Sequence, residues 1–257
     1  MTAVELKNVN KQFPGMSYKA LDNVSVTIEE GEFITILGSS GCGKTTLIKT
    51  INRLYEPDSG DIFLYGKNIR DTNPVELRRS IGYVIQQIGL FPHMTVRDNI
   101  ATIPKLLKWD KAKTDEQVDR LLSLVQLDPA EFRNRYPSQL SGGQQQRIGL
   151  ARALIADPKV MLLDEPFGAI DAINREKLQN ELKKIHAESH KTYLFVTHDI
   201  REAFKLGTKI IIMNQGKILQ YATAQEIICK PADRFVKELI QTTTDVSKDY
   251  VSGGEGI

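Results

Sequence analysis

The sequence predicts an α/β fold built on a parallel sheet, with a β-rich start and a helical stretch inserted in its middle. Three observations carry this expectation. Residues 33–38 (FITILG) are nearly all apolar and pass into a Gly/Ser-rich turn, after which residues 45–54 take helical periodicity, so a fully buried strand delivers a loop and then a helix. Strand character returns at 159–166, 191–199 and 209–215 with helices between them, an alternation that covers both faces of a parallel sheet. Residues 4–9 and 24–28 alternate apolar and polar side chains, the period of strands with one buried face.

The remaining elements follow the same logic. Residues 61–66 and 81–86 read as further strands, with Gly60 and Gly66 supplying turn geometry. From about 95 to 157 the period becomes helical, with Leu121, Leu124 and Val125 on one face and Ile148, Ala151, Leu154 and Ile155 on another. Leu178, Leu182 and Ile185 form the apolar stripe of a later helix that Asp171 is placed to cap. Residues 216–220 look like a hairpin return and 223–241 like two short helices. Residues 242–257 are polar and Gly-rich, a loose tail after one folded domain spanning 1–241.

Composition narrows the function. With 41% hydrophobic residues in 257, a sizeable core needs no staples, and a net charge of +2, with both signs spread along the chain, lacks the basic footprint of a nucleic-acid binder. Cys42 and Cys229 lie far apart without metal-ligand spacing, as free thiols of a reducing compartment would. No apolar run approaches the ~20 residues that span a bilayer, so contact with a membrane is expected to pass through another protein.

The chemistry is concentrated in three motifs. Gly38-Ser39-Ser40-Gly41-Cys42-Gly43-Lys44-Thr45 matches the phosphate-loop pattern G-x-x-x-x-G-K-[ST] at every fixed position. Its glycines let consecutive N–H groups turn inward as an anion nest, and the helix opened by Lys44, Thr45 and Thr46 aims its positive end at the phosphates. Lys44 is expected on the β- and γ-phosphates of ATP and the Thr45 hydroxyl on Mg²⁺. Val160-Met161-Leu162-Leu163-Asp164-Glu165 is an apolar strand ending in two acids; Asp164 fits the aspartate that holds the metal, and Glu165 points elsewhere, toward the attacking water. Leu140-Ser141-Gly142-Gly143-Gln144 then feeds a helix whose start is a second anion site.

This set of motifs, in their order along residues 3–241, resembles the nucleotide-binding subunits of ABC transporters. The resemblance implies a P-loop NTPase of the ABC type: a RecA-like core, an antiparallel β-subdomain and an inserted helical subdomain. It also implies a homodimer in which Ser141, Gly142, Gly143 and Gln144 of one copy meet the ATP held by the other, supplying the positive field of an arginine finger. By the same resemblance Gln86, with Gln87 as rival, senses Mg²⁺ and the attacking water. His198 contacts the γ-phosphate, Asp171 belongs to a dimer-interface loop, and Phe13, with Tyr18 as rival, stacks on adenine.

Residues 134–139 (NRYPSQ) lack the Gly-Glu-Arg-Gly run of ABC exporters, which favours import. The segments at 51–60, 74–96 and 103–109 are most similar to ATPase subunits of importers for quaternary amines such as glycine betaine, carnitine or choline. Expected partners are therefore integral membrane permease subunits and, through them, an extracellular solute-binding protein or domain. The ATPase itself would sit on the cytoplasmic face of a bacterial cell membrane. A coupling helix of the permease would dock on the apolar stretch from Ile88 to Thr95. Relatives of this kind often carry a C-terminal pair of CBS domains, which are not expected within these 257 residues. An importer ATPase for an amino acid or another small solute, and a soluble ABC ATPase without a permease, are the alternatives.

Overall fold

A computed structural model describes residues 1–86, 89–168 and 170–241. Strand β1 (Thr2–Lys11) pairs antiparallel with β2 (Leu21–Glu29), Val4 opposite Ile28 and Leu6 opposite Val26. On β2 the predicted alternation holds from Val24 to Ile28: Val24, Val26 and Ile28 are buried and Ser25 and Thr27 face outward. Strand β3 (Phe33–Gly38) has all six residues buried and leads through the glycine loop into α1 (Lys44–Ile51). This helix stops short of the expected residue 54 because Arg53 takes a left-handed conformation, φ 54°, and the amides of Leu54 and Tyr55 turn back to the Lys49 carbonyl. There follow β4 (Ser59–Leu64), which pairs with β1, then β5 (Lys67–Asn68) and α2 (Pro74–Ser80).

The middle of the chain runs β6 (Ile81–Val84), α3 (Val96–Ile100), α4 (Thr102–Leu106), α5 (Lys111–Leu124), α6 (Pro129–Phe132), α7 (Gly142–Leu154), β7 (Val160–Asp164) and α8 (Ala172–Ser189). The last third runs β8 (Thr192–Val196), α9 (Ile200–Leu206), β9 (Lys209–Asn214), β10 (Lys217–Ala222), α10 (Ala224–Cys229) and α11 (Arg234–Gln241). The predicted strands and helices are therefore present, and the expected tail at 242–257 lies outside the described residues.

The described residues divide into two compact units, one formed by residues 1–77 and 190–241, the other by Arg78–Ser189. In the first unit an antiparallel sheet of order β2-β1-β4-β5 accompanies strands in the order β10-β9-β3-β8. There β3 runs parallel to both neighbours, Ile36 lying opposite Val196 on one side and Ile211 on the other, while β9 and β10 form an antiparallel hairpin. Leu37, Ile210 and Ile212 pack with Phe204 of α9, Ile227 of α10 and Val236 and Ile240 of α11. Each such large side chain taken fully out of water contributes about 1.5–3 kcal/mol.

The second unit holds the helical stretch together with the parallel pair β6 and β7 and helix α8. Helix α7 is its centre, packing against α3, α5 and β6 with Ile148, Leu150, Ala151 and Leu154 buried. Helix α5 is capped by Asp110, which accepts from the Ala112 and Lys113 amides, and Arg133 joins it to α6 through Asp115 and Asp119 at 3.1 Å each.

Candidate functional site

The phosphate loop sits at the carboxyl end of β3 because the backbone there has only one way to turn. Gly43 has φ 109°, and a Cβ built on it would lie 2.3 Å from the Ala20 carbonyl oxygen; at Gly38 one would lie 2.2 Å from the Met213 oxygen. Both obstacles are backbone, so glycine is required at each by space as well as by conformation. The loop is braced from behind by the β9–β10 turn, where the Gly216 amide donates to the Cys42 carbonyl at 3.0 Å. Gly43 caps α1 without a side chain, and no acid stands in the first turn, so nothing anionic competes at that helix start.

Lys44 is 6% exposed, and its ammonium donates to the carbonyls of Gly38 at 2.7 Å and Ser39 at 3.0 Å. The charge is thus held inside the loop it serves. The Cys42 thiol beside it is buried, and desolvation pushes its pKa up against the opposing pull of Lys44, which keeps it protonated at neutral pH.

His198 lies two residues beyond Val196 of β8, as Gly38 lies two beyond Ile36, and those two residues are paired. Its imidazole is therefore exposed at the level of the phosphate loop, at the carboxyl ends of parallel strands where ligands of such sheets bind. Its neighbours fix the turn: the Thr197 hydroxyl donates to Glu202 at 2.7 Å, and Asp199 caps α9 by accepting from Arg201 and Glu202.

A cleft of about 710 Å³ opens beside the loop, lined by Ser39 to Cys42, by Asn214 to Lys217 of the hairpin, and by Tyr18, Lys19 and Asp22. Its size suits a small-molecule ligand. Of the two rival aromatics, Tyr18 is on this cleft and 59% exposed. Phe13 is outside the lining, its ring edge-on to Tyr55 at 5.0 Å. That the hairpin turn and Lys19 line this cleft was not read from the sequence, since only the tertiary fold carries them to the loop.

In the second unit, β7 is buried throughout and ends at Asp164, 1% exposed. Glu165 follows with φ 47°, a left-handed conformation uncommon for a residue with a side chain. Because Val84 pairs with Leu163, Gln86 and Glu165 reach the same level, and the Gln86 amide nitrogen donates to the Glu165 carboxylate at 3.3 Å. Gln86 and Glu165 are thus in contact, while Gln87, the rival of Gln86, lies outside the described residues. Within this unit Gln86 and Asp164 offer an amide and a carboxylate oxygen, hard donors of the kind that suit Mg²⁺.

Helix α7 begins at Ser141 in a full capping box: the Gln144 amide donates to the Ser141 hydroxyl at 3.3 Å and the Ser141 amide to the Gln144 side chain at 2.9 Å. The hydroxyl accepts in this arrangement and keeps its own proton to donate. Behind it Gln145 locks the turn through the Pro137 and Leu140 carbonyls, and no acid enters the first turn beside Gly142 and Gly143. Asp171 caps α8 as expected, accepting from the Asn174 amide and side chain, and these two bonds hold its carboxyl below the usual carboxylate range.

The family model described as ABC transporter matches residues 21–168. The chain is 56% identical over 91% of its length to the choline transport ATP-binding protein OpuBA of Bacillus subtilis (strain 168). It is 52% identical over 95% of its length to the glycine betaine/carnitine/choline transport ATP-binding protein OpuCA of the same strain. It spans 61% and 66% of those two proteins, less than two thirds of either. Among solved structures, an ATP-binding cassette described as a dimer in a post-hydrolysis state, bound to ADP and Pi, matches with a TM-score of 0.79 and 36% identity. That match covers 86% of this chain and 98% of the other.

Proposed function

Since this chain belongs to the ABC transporter family, we propose that it binds and hydrolyses ATP to power an importer of quaternary amines such as glycine betaine, carnitine or choline. The observation that carries the reading is the buried Lys44 ammonium enclosed by a glycine loop at the end of a parallel strand, a cradle built for a triphosphate. Phe13, edge-on to Tyr55, and Tyr18, on the cleft beside that loop, are the two aromatics for the adenine face.

Each residue then has a task. The loop N–H groups and Lys44 hold the β- and γ-phosphates, and Thr45 and Asp164 hold the metal side of the nucleotide with Gln86. Magnesium, when bound, neutralises charge on the phosphate oxygens. Glu165 accepts the proton of the attacking water, oriented by its contact with Gln86, and His198 donates to the γ-phosphate. Ser141 and the first amides of α7 act on the ATP of a second copy, in a head-to-tail homodimer with Asp171 at the interface. The subunit sits at the cytoplasmic face of the cell membrane, bound to permease subunits that receive solute from a binding protein; relatives named as transport ATP-binding proteins support a role beside a transporter. No described helix is long and apolar enough to cross a membrane. The apolar segment from Gly89 to Thr95, with Phe91 40% exposed, is the surface that receives the permease; Ile88, at the start of the expected patch, lies outside the described residues.

Reconstitution of the subunit with its permease and solute-binding protein tests the substrate. Glycine betaine, carnitine or choline is expected to stimulate ATP turnover severalfold; stimulation by amino acids or sugars alone would replace the quaternary amine and leave the ATPase in place.

A further inference from the structure

We infer that Arg152 is a positioning residue that ties the loop presenting Phe91 to the helix that begins at Ser141, so that load on the loop is passed along α7 to the phosphate-facing end. This rests on the reading of that loop as the permease contact. Arg152 lies in the last turn of α7, and its guanidinium donates to the Gly89 carbonyl at 2.8 Å and lies 5.8 Å from the centre of the Phe91 ring. Burial alone pushes its pKa below the ordinary arginine value, and no acid pairs with it among the described residues. The guanidinium is half-buried, and its contacts, a hydrogen bond and a ring face, both go to one loop.

The other end of the loop is fixed independently. Asn99 of α3 is fully buried; its side chain donates to the carbonyls of Phe91, Met94 and Thr95 at 3.0–3.2 Å and accepts from the Phe91 amide at 2.8 Å. The segment from Phe91 to Thr95 is therefore a preformed turn, and Arg152 is its hydrogen-bonded link to α7. Ser141 is eleven positions earlier, about 17 Å along a helix axis at 1.5 Å per residue. A hydrogen-bonded helix of that length moves as a rod.

The test compares Arg152→Gln and Arg152→Lys with wild type in proteoliposomes holding the assembled transporter. Basal ATPase of the isolated subunit is expected to stay within twofold in both variants. The increment stimulated by glycine betaine or choline is expected to fall at least tenfold in Arg152→Gln and to recover in part in Arg152→Lys, which restores one donor to the Gly89 carbonyl. A purely structural role would lower basal and stimulated rates together, and that result, or full stimulation in Arg152→Gln, overturns the inference. Should wild type itself show no stimulation by any solute, the importer reading falls, and the link is judged on hydrogen exchange in the isolated subunit. Amides of Gly89 to Phe91 exchanging at least tenfold faster in Arg152→Gln, with those of α7 unchanged, sustain it; unchanged loop exchange overturns it.

Discussion

Replacing Glu165 with glutamine is expected to slow ATP hydrolysis about a thousandfold, the scale of a lost general base, while ATP affinity stays close to wild type. The amide has the shape of the carboxylate and keeps an oxygen for the Gln86 donor at 3.3 Å, so the local arrangement survives. It keeps none of the basicity. The left-handed backbone at Glu165, whose carbonyl accepts from the Gly168 amide at 3.2 Å, is equally open to glutamine. With hydrolysis blocked, bound ATP holds the two copies together, and the variant is expected to elute as a dimer in ATP and as a monomer without it. Phosphate release and gel filtration read the two outcomes; turnover within tenfold of wild type would remove Glu165 from the role of base.

Gly43→Ala is expected to abolish measurable ATP binding, an affinity loss of at least a hundredfold. The new Cβ would lie 2.3 Å from the Ala20 carbonyl oxygen, and an alanine held at φ 109° adds strain of about 1–3 kcal/mol. The chain escapes only by moving the loop, which displaces the amides and Lys44 together. Gly66→Ala is the control: φ is 74° there, but nothing lies within 4 Å of the added Cβ. Both variants should lose some thermal stability, and only Gly43→Ala should lose nucleotide by calorimetry. Equal ATP binding in the two would mean that the loop tolerates the displacement and that its tight geometry is not what holds phosphate.

What was legible beforehand was whatever depends on local pattern. Six consecutive apolar or small residues at 33–38 can only be an interior strand, and β3 has those bounds. The strand ending in Asp164 and the capping residues Ser141 and Asp171 were equally readable, because a cap is a relation between residues three apart. The left-handed turn at Glu165 was not readable, since a glutamate carries no signal for positive φ. Tyr18 could not be separated from Phe13 by pattern, because both stand in one irregular stretch; the fold sets Phe13 against Tyr55 and Tyr18 on the cleft. Arg152 reads as one more polar residue of an amphipathic helix, and Asn99 as a mid-helix asparagine. Their partners, Gly89 and Phe91, are brought to them by the fold of the second unit.

The most direct measurement of the central claim, that one copy's phosphate loop and the other's α7 start share a single ATP, is the ATPase rate of mixed dimers. Lys44→Ala removes the first element and Ser141→Asp the second. Aspartate still caps the helix, so folding is preserved, but its charge repels phosphate. Each variant alone is expected to be inactive. A mixed dimer combines the intact loop of the Ser141→Asp chain with the intact helix start of the Lys44→Ala chain, so an equimolar mixture should regain roughly a quarter of wild-type activity if partners exchange at random around the twofold axis. No activity at any ratio, with mixed dimers shown to form, would contradict the shared site.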